Sequence, residues 1–385
     1  MPPEIEMPEQ YRIHVPDGVL SDLKARLRNT RWPDQLDGPG WDYGTDTHYL
    51  RQLCAYWADG FDWRKQETRL NGFHHYRETI DGLRVHFIHE RGRGPNPIPV
   101  LMLHGWPSTF VQFEKIIPLL TDPGSHGASN APCFDVVVAS LPGYGFSEVP
   151  KTRGFAIQAM AQCFTRLMTE SLGYERFALR GSDIGHSITQ QLALAHPDLV
   201  IGAHVTGLLR GVPLAASAPP SEAEQKFNQA MAAWEAQELA YARLHGTKPQ
   251  TLAVGLNDSP AGLASWIVEK FRTWGDTKGN VESRFSKDEL LTNLTIYWAT
   301  GTIASSVRLY YEFTREKRLQ GKVTVPTALL IATHDMVPPP REVCEGMYHI
   351  TRWTQTDQGG HFLEWEEPEL VAQDMRAFFG SPLQR

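Results

Sequence analysis

The segment around Asp183 presents a carboxylate at a turn between a predicted strand and a predicted helix. Residues 177–179 (Phe-Ala-Leu) predict a short buried strand, and residues 188–199 predict an amphipathic helix. Gly181 and Gly185 bracket Asp183, and such small residues permit the strained turn of a nucleophile elbow. A carboxylate at that turn indicates attack on a carbon electrophile, with an alkyl ester as the intermediate. The alternative is an aspartate that only caps the following helix.

An ester on an aspartate must be hydrolysed, and this requires a base that activates water. His361 follows two glycines on a loop after the last predicted strand, where such a base would lie in chain order. The base in turn needs a carboxylate to hold its tautomer, and Asp335 follows the predicted strand that ends at Thr333. Ligands of open α/β sheets collect at this carboxyl edge of the strands. The alternative for His361 is an ordinary turn histidine.

The same chemistry requires an oxyanion hole and an acid for the departing oxygen. The backbone N–H of Trp106 follows a predicted strand, and it could converge with the N–H of Ile184 on the ester oxygen. The alternative for residues 104–107 is a turn that simply ends the strand. Phenols suit the acid role because they donate strongly yet stay protonated at pH 7. No local feature selects a pair among the twelve tyrosines.

The elements that would position these residues alternate along the chain. Strand and helix patterns alternate from residue 83 to about residue 211, which predicts an α/β protein with a mostly parallel sheet and helices on both faces. Residues 212–320 are helix-rich without strand runs, and the strand pattern returns at 326–333. We therefore predict four segments, which are an N-terminal meander that packs on core and cap (1–92), a first core part (93–211), an inserted helical cap (212–320) and a second core part (321–385).

Composition excludes several classes of function. The chain has 385 residues with a net charge of −7 and no basic tract, which argues against nucleic acid or an anionic membrane surface as a partner. No apolar run reaches the length of a membrane span, and the N-terminus lacks the pattern of a signal peptide. The four cysteines lack metal-ligand or redox spacing. We therefore expect a cytoplasmic protein without membrane anchor, metal or cofactor.

Three motifs together resemble those of the epoxide hydrolases of the α/β-hydrolase fold, in their microsomal-type subgroup. The motifs are His104-Gly-Trp-Pro107, Gly181-Ser-Asp-Ile-Gly185 and Gly359-Gly-His-Phe362. Residues 61–64 and 74–76 resemble the N-terminal meander of this subgroup, and residues 247–271 resemble its cap. The resemblance covers nearly the whole chain. It implies a soluble, bacterial-like enzyme, and the meander of the subgroup can contribute to a homodimer.

The resemblance also implies a role for individual residues. Asp183 corresponds to the nucleophile, His361 to the water-activating base and Asp335 to the acid that orients this base. The two proton donors to the epoxide oxygen correspond to Tyr241 and Tyr310.

Some assignments stay open within the resemblance. Tyr311 adjoins Tyr310 and is its rival as second donor. Ile184 stands where the family usually has tryptophan, and Ser182 stands where it usually has glycine. The missing indole would reshape the wall beside the nucleophile, while Ser182 lies one residue off the elbow and would point into the sheet. The candidates for lining the substrate pocket are Trp106, Pro107, Trp298 and Phe362.

The expected reaction is hydrolysis of an epoxide to a vicinal diol, with water as the second reactant and an apolar or aromatic epoxide as substrate. One alternative is a haloalkane dehalogenase, but Ile184 replaces the tryptophan that would stabilise a halide. Another alternative is an epoxide-opening cyclase, in which a hydroxyl of the substrate replaces water. A non-catalytic binding protein on the same fold is less consistent with a complete set of nucleophile, acid and base.

Overall fold

The structure, a computed structural model, describes residues 8–207 and 220–381. Within these residues, nine strands form one sheet. In chain order, the strands are β1 (Glu9–Tyr11), β2 (His75–Ile80), β3 (Leu83–Glu90), β4 (Ile98–Leu103), β5 (Phe134–Ala139), β6 (Phe177–Gly181), β7 (Val200–Thr206), β8 (Val323–Ala332) and β9 (Tyr348–Thr356).

The same ranges contain fifteen α-helices. In chain order, the helices are α1 (Asp17–Arg28), α2 (Thr47–Asp59), α3 (Trp63–Leu70), α4 (Ile116–Thr121), α5 (Ile157–Arg166), α6 (Ile184–Ala195), α7 (Glu222–Glu238), α8 (Ala240–Thr247), α9 (Pro249–Asp258), α10 (Pro260–Trp274), α11 (Lys287–Thr300), α12 (Ile303–Phe313), α13 (Arg341–Glu345), α14 (Leu363–Glu366) and α15 (Pro368–Phe379). Among the helices of residues 8–207 and 220–381, none has an apolar stretch of the length that a lipid bilayer requires.

The sheet is antiparallel at one end and parallel through the rest. Its strand order is β1-β2-β3-β5-β4-β6-β7-β8-β9, and every pairing from β5 to β9 is parallel. Strands β4, β5 and β6 are almost wholly apolar and buried, as expected for parallel strands covered on both faces. The predicted α/β architecture with a mostly parallel sheet is therefore confirmed. The carboxyl ends of β4, β6, β8 and β9 lie along one edge of the sheet, with β7 between β6 and β8.

One predicted helix has different bounds. The helix expected over residues 188–199 begins at Ile184, directly after the elbow residue, and ends at Ala195. It cannot continue because Pro197 follows at once and disfavours the helical conformation of His196. The next residues, 200–206, form β7, a strand that the sequence analysis did not identify.

The described residues between β7 and β8 hold the helices α7 to α12 and no strand. Among them, α8 and α9 pack against α12. The N-terminal segment extends the sheet with β1 and β2, and it lies against the cap helices through Trp57 Nε1–H, which donates to Thr295 Oγ1 at 2.9 Å. The predicted boundary between the first core part and the cap, at 211/212, falls outside the described residues. The other segment boundaries stay a prediction.

Candidate active site

Asp183 lies at a strained turn between β6 and α6. Its φ of 51° falls in the left-handed region, which residues with a side chain rarely adopt. The turn needs glycine on both sides, since a Cβ on Gly181 would collide with the carbonyl of Gly185, and one on Gly185 with the carbonyl of Leu103. The Asp183 side chain makes no capping hydrogen bond to α6. The helix-cap alternative is therefore wrong.

The two oxygens of the Asp183 carboxylate have different surroundings. Oδ1 accepts a hydrogen bond of 2.8 Å from the backbone N–H of Trp106, and Oδ2 lies 3.7 Å from Nε2 of His361. Gly105 is required here because any Cβ would collide with Oδ1. Within the described residues, the N–H of Ile184 donates no hydrogen bond to this carboxylate. Only one of the two predicted oxyanion donors therefore contacts Asp183 in this structure.

His361 lies between two carboxylates. Its Nδ1 is 2.9 Å from Oδ1 of Asp335, so Nδ1–H donates to that carboxylate and Nε2 faces Asp183. The backbone N–H of Met336 fixes the same Asp335 oxygen at 2.7 Å. Burial opposes a charge on His361, but Asp335 and Asp183 together outweigh it and raise the pKa of the imidazole to about 10. The resting site thus holds an imidazolium between two carboxylates.

Two tyrosines of the cap face the triad of Asp183, His361 and Asp335 across a cavity. Tyr241 on α8 and Tyr310 on α12 are both buried, and their ring centroids lie 6.0 Å apart. Burial, with Tyr241 and Asp183 nearby, raises the pKa of Tyr310 well above its ordinary value, so the phenol stays protonated. Tyr311 is only half-buried and holds the Arg315 guanidinium 3.5 Å over its ring. The structure thus brings Tyr310, and not Tyr311, to the cavity.

The tyrosines are held by other aromatic rings. The ring of Trp106 stacks on Tyr241 with centroids 5.2 Å apart and an angle of 10°. His245 packs edge-on against Trp106 at 4.9 Å and against Tyr310 at 4.8 Å. Burial, helped by the charge of Lys270, lowers the pKa of His245 to about 3, so this ring is neutral. The loop that supplies the oxyanion donor therefore also supports the tyrosines.

The cavity has a volume of about 680 Å³. Its wall includes Asp183, Asp335, His361 and both tyrosines. Between these polar groups the wall is mostly apolar. The apolar lining residues are Ile157, Ile184, Met231, Leu239, Ala242, Phe313, Met336 and Val337.

None of the four predicted pocket residues is among the described residues that line this cavity. Trp106 lies behind Tyr241, and Phe362 stacks on Phe271 with centroids 4.2 Å apart. The carbonyl of Pro107 accepts a hydrogen bond from Asn293, and Trp298 lies under the guanidinium of Arg26, 5.7 Å from it. The prediction of these four pocket residues is therefore wrong, because proximity to a motif along the chain does not fix which way a side chain points.

Glu366 is a functional candidate that the sequence analysis missed. Its carboxylate accepts hydrogen bonds from the backbone N–H groups on both sides of His361, at 3.1 Å from Gly360 and 3.0 Å from Phe362. It also accepts one of 2.8 Å from the N–H of Asp276 in the cap. Burial raises the pKa of Glu366 to about 7, against the three N–H groups that lower it. This glutamate therefore fixes the loop of His361 and ties it to the cap.

Ser182 belongs to a buried network beneath the elbow. Its Oγ accepts a hydrogen bond of 3.1 Å from Gln112, which also donates to Glu364 at 2.6 Å. Glu364 pairs with Arg180 at 2.7 Å, and both side chains are fully buried. Ser182 does not line the cavity, in agreement with the prediction that it points away from the cleft. A hint of this network in the sequence was Arg180 inside an apolar strand.

No group of three or more potential metal-ligating side chains occurs in residues 8–207 and 220–381. The cavity wall contains carboxylates, an imidazole and phenols. This set can supply a nucleophile, a base and proton donors.

Comparison with known proteins places this site in a family. Residues 8–113 match the family described as epoxide hydrolase N terminus, and residues 98–368 match the α/β-hydrolase fold. Epoxide hydrolase 1 of Sus scrofa is 37% identical over 98% of this chain and 89% of its own. The crystal structure of juvenile hormone epoxide hydrolase from the silkworm Bombyx mori has a TM-score of 0.87 at 30% identity, over 97% of this chain and 94% of that one.

A second solved structure is similar to nearly the same extent. Aspergillus niger epoxide hydrolase has a TM-score of 0.85 at 27% identity, over 98% of this chain and 97% of its own. The matches span the meander, the cap and the sheet, so they cover the triad and both tyrosines. The chain therefore belongs to the epoxide hydrolases of the α/β-hydrolase fold, in the microsomal-type group that carries the N-terminal epoxide hydrolase domain.

Proposed function

We propose that this epoxide hydrolase forms its diol in two steps through a covalent ester on Asp183. One observation carries the proposal: the Asp183 carboxylate is held through one oxygen by Trp106 N–H, while two phenols and the imidazole of His361 share its cavity. A carboxylate fixed in this way can attack a carbon, and the phenols can stabilise the oxygen that departs. The two phenols suit an oxygen leaving group better than a halide.

In the first step, Oδ2 of Asp183 attacks one ring carbon, and the bond from this carbon to the epoxide oxygen breaks. Hydrogen bonds from Tyr241 and Tyr310 stabilise the alkoxide that develops. Ester formation removes the negative charge of Asp183, which is one of the two charges that raise the pKa of His361. His361 therefore loses its proton, and this proton neutralises the alkoxide, which becomes the first hydroxyl group of the diol.

In the second step, neutral His361 takes a proton from water, and the resulting hydroxide attacks the ester carbonyl carbon. The N–H of Trp106 stabilises the oxyanion, in the position where it now holds Oδ1 of Asp183. The ester C–O bond then breaks, and the remaining proton of the water passes to the departing alkoxide. The diol leaves with an oxygen from Asp183, and the imidazolium–carboxylate pair is restored.

The apolar wall of the cavity supports an epoxide with an apolar substituent as substrate. Ile184 is part of this wall, at the position where the family usually has a tryptophan. The smaller side chain leaves room beside the nucleophile for such a substituent. A homodimer and a cytoplasmic location stay predictions.

The ester can be trapped by removing the base. In His361→Gln, the first step still proceeds but the second loses its base, so we expect the intact mass to rise by the mass of one epoxide. General-base assistance contributes typically about 10²–10⁴-fold, and kcat should fall in that range. His334→Gln is the matched control, since His334 is exposed and adjoins Asp335. Absence of any adduct in a folded His361→Gln protein, under excess styrene oxide, would contradict the ester mechanism.

A further inference from the structure

The two ends of the substrate cavity differ in charge. The inner end holds the triad and the two phenols, whereas the remaining lining includes Arg243, Arg315 and Arg318 and one further carboxylate, Glu235. Arg243 and Arg315 are exposed, so they mark the end that opens to solvent. The chain as a whole has a net charge of −7. A concentration of guanidinium groups at the cavity mouth is therefore contrary to the overall charge of the protein.

Arg315 is held in place but keeps part of its hydrogen-bonding capacity. Its Nη1 donates to the carbonyl of Gly246 at 2.9 Å, to the carbonyl of Tyr311 at 2.8 Å and to Thr314 Oγ1 at 3.0 Å. The guanidinium plane rests on the Tyr311 ring. Within the described residues, its Nε and Nη2 have no hydrogen-bond partner. A guanidinium fixed through one nitrogen, with its other donors unused, is preorganised for a carboxylate.

The side chains of Arg243 and Arg318 form no ion pair or hydrogen bond with any described residue. Arg243 lies on α8 one turn before Gly246, to which Arg315 is bound, so these two arginines lie on the same side of the mouth. Glu316, the carboxylate two residues before Arg318, accepts hydrogen bonds from the backbone N–H groups of Ile157 and Gln158 rather than from a guanidinium.

Arg318 is also close to the catalytic helix. The next residue, Leu319, makes two hydrogen bonds to the side chain of Gln191 on α6, at 2.7 and 3.0 Å. Ser187, one turn before Gln191 on the same helix, lines the cavity. Arg318 is thus anchored beside the helix that begins directly after Asp183, and its side chain faces the cavity from that side.

We propose that the natural substrate is an epoxide whose apolar chain ends in an anionic group such as a carboxylate, which Arg243, Arg315 and Arg318 bind at the cavity mouth. This rests on the proposed function, because the epoxide ring must lie at Asp183 when the anion reaches the mouth. The apolar wall between the two ends, which includes Leu239 and Phe313, accepts the connecting chain. The cavity volume of about 680 Å³ is suited to a molecule of this size.

The expected preference is moderate and sensitive to salt. A solvent-exposed ion pair contributes little binding energy, so each arginine should change kcat/KM by a few-fold at most. Salt screens such contacts over about 10 Å at 0.1 M ionic strength. The preference for an anionic substrate should therefore be largest at low ionic strength.

The test compares 10,11-epoxyundecanoic acid with its primary amide, which has nearly the same size but no charge. We expect wild-type kcat/KM to be higher for the acid at low ionic strength, and added NaCl to reduce the ratio of acid to amide. In Arg243→Gln/Arg318→Gln this ratio should fall about tenfold. Glu235→Gln should raise it, because the one opposing carboxylate is lost. Lys317→Gln, which removes a neighbouring charge outside the cavity lining, should leave the ratio unchanged.

The outcomes separate this inference from the reaction mechanism. A wild-type ratio of one or less would overturn the inference, and so would a ratio that the double variant and Lys317→Gln reduce equally. Failure of the proposed mechanism would appear differently, as the absence of a covalent adduct from the neutral amide in His361→Gln. Arg315 is left intact in the test because it also holds the end of α8 through Gly246.

Discussion

The core half and the cap half of this active site hold their functional groups in different ways. On the core half, Asp183, His361 and Asp335 lie on loops that follow strands, and backbone N–H groups or charged partners fix them. On the cap half, Tyr241 and Tyr310 lie on helices and are fixed chiefly by aromatic rings around them. Hydrogen bonds therefore position the charged groups, and packing positions the neutral proton donors.

This difference assigns each half to a different part of the reaction. On the core half, Asp183 can attack a carbon atom and His361 can activate water. The two roles are linked, because His361 loses its proton when Asp183 loses its negative charge. The cap half keeps its phenols protonated through burial, so it can assist only where negative charge develops on the epoxide oxygen. Substitution of the base His361 should therefore slow ester hydrolysis, whereas substitution of Tyr241 or Tyr310 in the cap should slow ester formation.

The largest effect is expected from loss of the nucleophile. Asp183→Ala should lower kcat/KM by about 10⁴-fold or more, because no other carboxylate can attack from the elbow. Steady-state diol formation, with circular dichroism to verify folding, measures the loss. Ser182→Ala is the neighbouring control and should retain most activity, since Ser182 bonds to Gln112 rather than lining the cavity. Loss of activity in Ser182→Ala with activity kept in Asp183→Ala would reverse the assignment of the nucleophile.

A smaller effect is expected on the cap half. Tyr310→Phe and Tyr241→Phe should each slow ester formation by about 10²-fold, because one of two donors remains. The rate of adduct growth in the His361→Gln background measures this step alone. Tyr311→Phe is the matched control and should react at the rate of its parent. An equal loss in Tyr310→Phe and Tyr311→Phe would show that packing of α12, rather than the phenol, is responsible.

A third effect is expected in stability rather than in rate, as a dependence on pH. The pKa of His361 is raised in the folded protein from the ordinary 6.5 to about 10. Its stabilising contribution is therefore complete below about pH 6.5, declines as pH rises and is lost above about pH 10. The difference in unfolding free energy between wild type and His361→Gln should shrink by about 1.4 kcal/mol per pH unit at most within this window. Urea denaturation at several pH values measures it.

A cap substitution provides the contrast for this measurement. Tyr310→Phe should follow the wild-type pH dependence, because its phenol stays neutral throughout the window. A difference between wild type and His361→Gln that stays constant from pH 6 to pH 10 would mean that the imidazolium is not held by its carboxylates.

The two halves also differed in how far the sequence predicted them. Local patterns located Asp183, His361 and Asp335, because each lies within a few residues of a recognisable strand or glycine turn. The tyrosines came only from the family resemblance, since the packing that brings α8 to α12 joins residues about seventy positions apart along the chain. The fold class was predictable because strand and helix periodicities are themselves local.

The parts that escaped prediction depend on side-chain direction. Glu366 is one of several acidic residues after His361, and only the fold shows that its carboxylate meets three backbone N–H groups. Likewise, Phe362 adjoins the base in sequence but turns to stack on Phe271. The predicted start of α6, at residue 188, was too late. The helix begins at Ile184 because the turn ends at Asp183, and the pattern of apolar residues does not reveal the unusual φ angle of that residue.

The covalent ester on Asp183 is tested most directly by a single turnover in H₂¹⁸O, with enzyme in excess over epoxide. The ester mechanism predicts that ¹⁸O appears in the peptide that contains Asp183, while the diol carries only oxygen from the epoxide and from the original carboxylate. Label in the diol and none in the peptide would instead mean that water attacks the epoxide directly, and would contradict a covalent ester on Asp183.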